Sequence, residues 1–285
     1  MRIVSFNVNS LRARLHQLQA IVDTLAPDII GLQETKVADQ EFPLQAITDM
    51  GYHAVYHGQK THYGVALLCR QPLLNATCGF SQDDAESQRR FVSGQLAMAD
   101  GRFLTVMNGY FPQGENRTHP TKFANKAAFY THLAELLGSY AADQPVVIMG
   151  DMNVAPLDQD IGIGADNARR WLREGKCCFL PEERQWLQRL LDWGMVDTYR
   201  QQHPQVVDRF SWFDYRSRGF EAEPKRGLRI DLILASQAIA SHTSAAGIDY
   251  TIRAMDKPSD HCPVWTDFDV ELAPFDAKTQ AITAL

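Results

Sequence analysis

Gly150-Asp151-Met152-Asn153 is the stretch whose residue types and spacing most directly offer chemistry. It follows Pro145-Val146-Val147-Ile148-Met149, an apolar run that reads as a buried strand. In an extended segment, Asp151 and Asn153 face the same side. A carboxylate so placed can orient or deprotonate a water, or protonate a leaving oxygen. An amide beside it can hold a phosphate oxygen or a metal. By type alone the stretch is equally a plain turn, because Gly, Asp and Asn all form turns. Three other strand-like runs end in similar groups: Ile3–Phe6 before Asn7, Ile29–Leu32 before Gln33-Glu34, and a late segment leading into Ser259-Asp260-His261. Four such tips predict a site assembled across two sheets and suited to metal-assisted phosphate chemistry.

Glu34 is a hard oxygen donor at a strand end, and Mg²⁺ favours one or two carboxylates with waters and substrate phosphate. A lone Glu is more often a surface residue, and Asn7 is equally ambiguous alone. His261 can serve as base, acid or phosphate partner near neutral pH, provided its other ring nitrogen finds an orienting acceptor. Asp231, inside the apolar run Leu228–Leu234, is a candidate for that acceptor. A carboxylate there must be paired, and the competing reading is a purely structural pairing with a nearby arginine. Tyr110, in Asn108-Gly109-Tyr110-Phe111-Pro112-Gln113-Gly114, sets a phenol at another strand end, where it could reach a phosphate oxygen or simply form a rim. Phe210-Ser211-Trp212-Phe213-Asp214-Tyr215, with Arg216 and Arg218, interleaves aromatics with cations. That pattern suits a flipped-out nucleotide or a sugar lacking its base, and equally a half-buried strand.

Strand-like runs span Arg2–Val8, Asp28–Leu32, Ala54–His57, Val65–Cys69, Phe91–Met98, Phe103–Tyr110, Val146–Gly150, Ile230–Leu234 and Pro263–Phe268. Asp100-Gly101 marks a tight hairpin. Helical spacing at Leu11, Leu15, Leu18, Ile21, Val22 and Leu25 predicts one helix, with Asn9 or Ser10 as cap and Pro27 as stop. Others are predicted from Thr121 to about Ala142 and from Pro181 to Gly194. Short links between strands imply antiparallel pairing, so the simplest account is one domain of two packed sheets with outer helices. Residues 269–285 have weak patterning and read as a tail.

Across 285 residues, 45% are hydrophobic and 22% charged, as in a globular protein. No stretch approaches the ~20 apolar residues of a membrane span, and the N-terminus reads as a first strand rather than a signal peptide. A cytoplasmic protein is expected. Five cysteines without Cys-x-x-Cys spacing argue against a disulfide framework or a zinc site. A net charge of −6 argues against a non-specific nucleic-acid coat. It leaves room for a nucleic-acid enzyme whose carboxylates hold Mg²⁺ and whose cations gather locally, as in Arg89-Arg90, Arg169-Arg170-x-x-Arg173-x-x-Lys176 and Lys225-Arg226-x-x-Arg229.

Together these motifs resemble the endonuclease/exonuclease/phosphatase superfamily, and within it the abasic-site endonucleases. The resemblance is carried by Ser5-Phe6-Asn7, Leu32-Gln33-Glu34-Thr35-Lys36, Tyr63–Leu68, Asn108–Gly114, Met149–Asn153, Asp160–Gly164, Asp208–Ser217, Arg226–Leu232 and Ser259-Asp260-His261. It implies an α/β fold, a four-layer αββα sandwich of two mainly antiparallel sheets flanked by helices, formed by residues 1–268 as one domain. It implies one or two Mg²⁺ ions (Mn²⁺ in substitution), double-stranded DNA as partner and a monomer without obligate protein partners. By motif, Glu34 would be the main metal ligand with Asn7 and Asp260, and Asp151, Asn153 and His261 would border the metal. Asp151 would position the water or manage the leaving-group proton, and Asn153 and Tyr110 would hold the phosphate. His261, oriented by Asp231, would polarise that phosphate or activate the water; which of Asp151 and His261 is the base stays open. Trp212, Phe213 and Leu228 would line an abasic-sugar pocket, with Arg90, Gln113 and Lys122 along the DNA. The implied activity is cleavage 5′ to abasic sites, 3′–5′ exonuclease on duplex DNA and removal of 3′-blocking phosphates. The rivals are a phospholipid or phosphoinositide phosphodiesterase and a non-catalytic DNA-binding module. Glu221–Lys225 is longer than the family pattern leads one to expect and adjoins the pocket, so it bears on the balance of activities.

Overall fold

The apolar runs become strands in a computed structural model that describes residues 1–275. In chain order they are β1 (Arg2–Asn7), β2 (Ile29–Gln33), β3 (His53–His57), β4 (Val65–Cys69), β5 (Leu74–Cys78), β6 (Phe91–Ala97), β7 (Phe103–Tyr110), β8 (Val146–Asp151), β9 (Met195–Asp197), β10 (Asp231–Ser236), β11 (Thr243–Ile248) and β12 (Val264–Phe268). The helices are α1 (Leu15–Leu25), α2 (Leu44–Asp49), α3 (Lys122–Leu137), α4 (Ala165–Glu174), α5 (Pro181–Trp193), α6 (Thr198–Gln202), α7 (Gln237–Ala240) and α8 (Tyr250–Arg253). No helix among the described residues is long and apolar enough to cross a membrane.

Two six-stranded sheets form, ordered β11-β12-β1-β2-β4-β3 and β5-β6-β7-β8-β10-β9. Each is antiparallel except for one pair: β1 with β2, and β7 with β8. Both faces of the central strands are covered, which is why β1, β2, β4 and β8 read as almost unbroken apolar runs. One core, with Ile3, Ile29, Leu67, Val106, Met149 and Ile233, fills the space between the sheets. A second seats α3 and α5 on the outer face of one sheet, and a third seats α1 on the other. The result is the four-layer αββα sandwich of two mainly antiparallel sheets.

Three expectations change. Asn9 and Ser10 do not cap α1, because a short 3-10 turn at Leu11–Ala13 intervenes and Arg14 takes the cap position. The third helix stops at Leu137, capped by Gly138, rather than running to Ala142. Residues 270–273 are docked: Leu272 bridges Met98, Ala273 N–H donates to Ala97, and Val270 packs on the inter-sheet core. The rest of the expected tail, residues 276–285, lies outside the described residues.

Candidate active site

Strand register builds the site. The parallel pair β7/β8 and the antiparallel pair β8/β10 place Tyr110 beside Asp151 and Asp151 beside Asp231, one rung across three strands. In the facing sheet, the parallel pair β1/β2 ends with Asn7 beside Gln33, one residue before Glu34. The carboxyl ends of both parallel pairs therefore meet at one edge of the sandwich. Within its own sheet Gly150 lets β8 run close to β7, since a Cβ there would lie 1.9 Å from the Gly109 carbonyl oxygen. Just beneath, a polar clasp joins the sheets: Gln33 Nε2 donates to Asn108 Oδ1 (2.6 Å), and Asn108 Nδ2 donates to the Leu32 and Ala66 carbonyls (2.9 Å each). These amides are buried and their N–H₂ groups donate across the sheets, with only Gln33 Oε1 left without a partner, so they fix how the two sheets face each other.

Asn7 Nδ2 donates to Glu34 Oε1 (3.0 Å) and to Asp151 Oδ2 (3.0 Å), bridging the two sheets at the site itself. Lys36 Nζ lies 2.7 Å from Glu34 Oε2 and donates to Asn9 Oδ1 at 2.6 Å. His261 Nδ1 faces Asp231 at 2.9 Å, and its Nε2 lies 3.7 Å from Asp151 Oδ2. Asp231 is held in turn by its backbone N–H donating to Ser211 Oγ (3.0 Å). Ser259 Oγ donates to the Asn7 carbonyl (2.6 Å) and accepts from the His261 N–H (3.2 Å), tying the histidine to β1. Ligand atoms of Glu34, Asp151 and His261 all lie within 4.8 Å of one another.

Asn9 (φ 44°), Glu34 (φ 53°), Lys36 (φ 52°), Tyr63 (φ 58°) and Asn153 (φ 52°) adopt left-handed backbone that non-glycine residues rarely take. Such strain persists only where surrounding contacts enforce it.

Electrostatics separates the acids. Burial pushes the Glu34 carboxyl up, but Lys36, the Asn7 amide and His261 outweigh it and leave it below its ordinary value. Burial pushes Asp151 up to about 7, helped by the charges of Asp231 and Glu34 and opposed by His261. Burial alone would lower His261, yet Asp231 and Asp151 raise it to about 10. His261 is thus an imidazolium held between carboxylates. Burial, and then Glu34, keeps the Tyr110 phenol well above its usual value, so it remains a neutral donor.

Asn153 is buried at the end of the Asp151 loop, its N–H donating to Asp151 Oδ1 (3.1 Å) and its Nδ2 to the Phe111 carbonyl (2.9 Å). Asp260 is outside the three-residue cluster, and its oxygens accept from Asn9 Nδ2 (2.9 Å) and Trp212 Nε1 (3.1 Å). Arg90 lies over the rings of Tyr63 and Tyr110, 4.1 and 4.5 Å from their centroids. Of the expected pocket residues, Trp212 is half-buried and bridges His261, whereas Phe213 and Leu228 are fully covered. Gln113 is exposed, and Lys122 is exposed and paired with Glu115 at 2.6 Å. Sequence reasoning missed Lys36, Asn9, Ser211 and Ser259 as site residues. All four lie within the quoted motifs or next to one, so adjacency was the available signal.

The donor set fits a hard divalent cation: the carboxylates of Glu34 and Asp151 converge, without a thiolate among the grouped residues. His261 stands in the same three-residue group, with Nδ1 on Asp231 and Nε2 toward Asp151. Asn7 turns its N–H₂ toward the carboxylates, bracing them rather than offering its oxygen.

The chain is 53% identical to the exodeoxyribonuclease III of Haemophilus influenzae over 269 residues, covering 94% of this chain and all of that one. A 3′ phosphatase from Neisseria, solved with a product DNA hairpin, superposes with a TM-score of 0.84 at 36% identity, covering 94% of this chain and 99% of that one. An AP endonuclease from Archaeoglobus fulgidus superposes with a TM-score of 0.85 at 31% identity, covering 95% and 100%. With residues 4–261 also matching the family model, the chain belongs to the Endonuclease/Exonuclease/phosphatase family.

Proposed function

We propose that this chain is a Mg²⁺-dependent DNA repair nuclease that incises duplex DNA 5′ to abasic sites, trims 3′ ends and removes 3′-blocking phosphates. One observation carries the reading: the Tyr110–Asp151–Asp231 rung, closed by His261 on one side and by the Asn7–Glu34 pair on the other. Kinship with an exodeoxyribonuclease, a 3′ phosphatase and an AP endonuclease supports the substrate class.

In this reading Glu34 and Asp151, with Asp260 beyond them, hold the cation, and Asn7 braces the two nearer carboxylates. Bound there, Mg²⁺ would neutralise charge on the phosphate and on the departing oxygen. Of the two candidate bases, Asp151 is the better. His261 already carries its proton, so it can only donate, and its Nε2–H suits a non-bridging phosphate oxygen. Asp151 accepts the proton of the attacking water as the oxygen bonds to phosphorus and the P–O3′ bond breaks. Tyr110, a neutral phenol beside Glu34, and Asn153 hold the phosphate in line. Trp212 forms the open wall of a sugar pocket, backed by buried Phe213 and Leu228. Arg90, Gln113 and Lys122 then contact the DNA backbone. The working unit is residues 1–268 as a single domain, acting as a cytoplasmic monomer.

The test uses two labelled duplexes, one with a single abasic-site analogue and one with intact ends, each with Mg²⁺ or EDTA. Mg²⁺-dependent incision 5′ to the analogue and trimming of the intact duplex are expected. Binding without turnover would sink the proposal, as would hydrolysis of a phospholipid headgroup with both duplexes left whole.

A further inference from the structure

Asn153 must hold its amide still in a left-handed backbone conformation, yet it lies in an irregular loop after β8. The Gln113 loop after β7 is likewise outside regular structure. Neither loop can lean on a strand ladder. Besides the Asn153 Nδ2–Phe111 carbonyl bond and the contacts of Cys178 Sγ with Gln113 Nε2 and Asn153 Oδ1, the charged side chain they share is Lys126, on α3. Its Nζ donates to the Asn153 carbonyl (2.8 Å) and to the Gln113 carbonyl (3.3 Å). Its third partner is Glu183 of α5, at 2.5 Å. Lys126 and Glu183 are both wholly buried. Glu183 spends its other oxygen on the Leu180 N–H at the start of α5 (2.8 Å).

Stability does not explain this pair. Desolvating two charges offsets most of their attraction, and apolar replacements of similar volume are often neutral or stabilising. What an apolar pair cannot do is supply two N–H donors to two loop carbonyls. We infer that Lys126 is a positioning residue, which sets the Asn153 amide and the Gln113 loop through their backbone carbonyls, with Glu183 as its anchor. The inference rests on Asn153 holding the scissile phosphate. Lys126 itself touches no reacting atom. The three N–H bonds of one ammonium thus join α3, α5 and both phosphate-side loops into one rigid unit.

The test is the paired variant Lys126→Met with Glu183→Gln, in which the introduced amide oxygen still accepts from the Leu180 N–H and no buried charge is left unpaired. The full chain is assayed on the abasic-analogue duplex with Mg²⁺. The variant should melt as a folded protein, lose about 10–100-fold in kcat and keep KM near native, as expected when a supporting group beyond the reacting atoms is removed. Adding Asn153→Ala supplies the readout that a merely structural role would not move. If Lys126 acts through Asn153, that substitution should cost at least about 3-fold less in the paired variant than in the native background. A folded paired variant with native kcat would overturn the inference. So would an Asn153→Ala penalty equal in both backgrounds. An Asn153→Ala protein with native kcat would remove the phosphate-holding role instead, and the inference with it. Should the first pair fail to fold, Lys126→Met with Glu183→Leu carries the same two measurements.

Discussion

Two groups of buried charges flank the start of β10, and they are built in opposite ways. Two residues before Asp231, Arg229 donates from Nε to Asp160 (2.7 Å) and from Nη2 to Asp197 (2.7 Å), while Arg200 adds a second cation to Asp160 (2.6 Å). Two carboxylates meet two guanidiniums, and Asp160 is held below its ordinary pKa because those arginines outweigh its burial. At the active site, Glu34, Asp151 and Asp231 meet only Lys36 and His261, and Asp151 rises to about 7. The first group is electrically closed. The second, with Asp260 beside it, is left short of cations, which is the condition for taking up a metal ion and moving a proton. A balanced cluster is scaffold; a deficient one is machinery. The contrast also decides the pairing of Asp231: Arg229, the arginine nearest in sequence, is committed to Asp160 and Asp197, so Asp231 is left to orient His261.

Substitutions should separate the two clusters. Asp151→Asn removes the proposed base while keeping an oxygen for the Asn153 N–H, so kcat for abasic incision should fall ~10²–10⁴-fold. The melting temperature should hold, and near-native single-turnover cleavage would dismiss the assignment. Arg229→Met should do the reverse. It strands Asp160 and Asp197 without their shared cation, and breaking a buried pair costs about 3–5 kcal/mol. Urea denaturation should show that loss, with activity per folded molecule preserved. A stable variant with lost activity would mean the clusters are not separable. Asp231→Asn sits between them: it leaves His261 without its anchoring charge, and about 10–100-fold in rate should go. A pH–rate profile identical to the native one would show that the imidazole needs no such anchor.

The site was more legible in the sequence than the frame around it. Asp151 and Glu34 each close an apolar run, so their exit from a strand was visible, whereas His261 lies in the loop between α8 and β12 and was marked only by its Ser-Asp-His motif. Three strands escaped reading: β9 (Met195–Asp197) is only three residues long, and the other two lack an apolar signature. β5 (Leu74-Asn75-Ala76-Thr77-Cys78) is an edge strand, mostly exposed and broken by the left-handed Asn75. β11 (Thr243–Ile248) carries small residues in place of β-branched alternation. α4 fully buries none of its side chains, and its apolar face is only the short set Ala168, Trp171 and Leu172 among charges. Asn9 looked like a helix cap because Asn is a capping residue; its side chain instead spans Asp260 and Lys36, partners supplied only by the fold. Lys126 and Glu183 were invisible for the same reason: each looks like a helix-surface charge, and only the docking of α3 against α5 buries them together.

Acid is the mildest way to set the two clusters against each other. Asp160 has a folded pKa below its unfolded value, so its contribution is present above the unfolded value of roughly 3.9 and is lost as pH falls through the folded pKa. Arg229 and Arg200 keep their charge throughout that range, so protonating Asp160 leaves them facing a neutral partner. In Asp160→Asn that titration is absent. Urea midpoints of native and Asp160→Asn proteins, followed downward from pH 6, should therefore differ by a constant amount until about pH 4 and then converge. Convergence well above pH 5 would mean that another acid controls the stability of this region. A gap that stayed constant down to pH 2 would mean that Asp160 gains nothing from its arginines. The closed cluster would then be a matter of packing, not of charge.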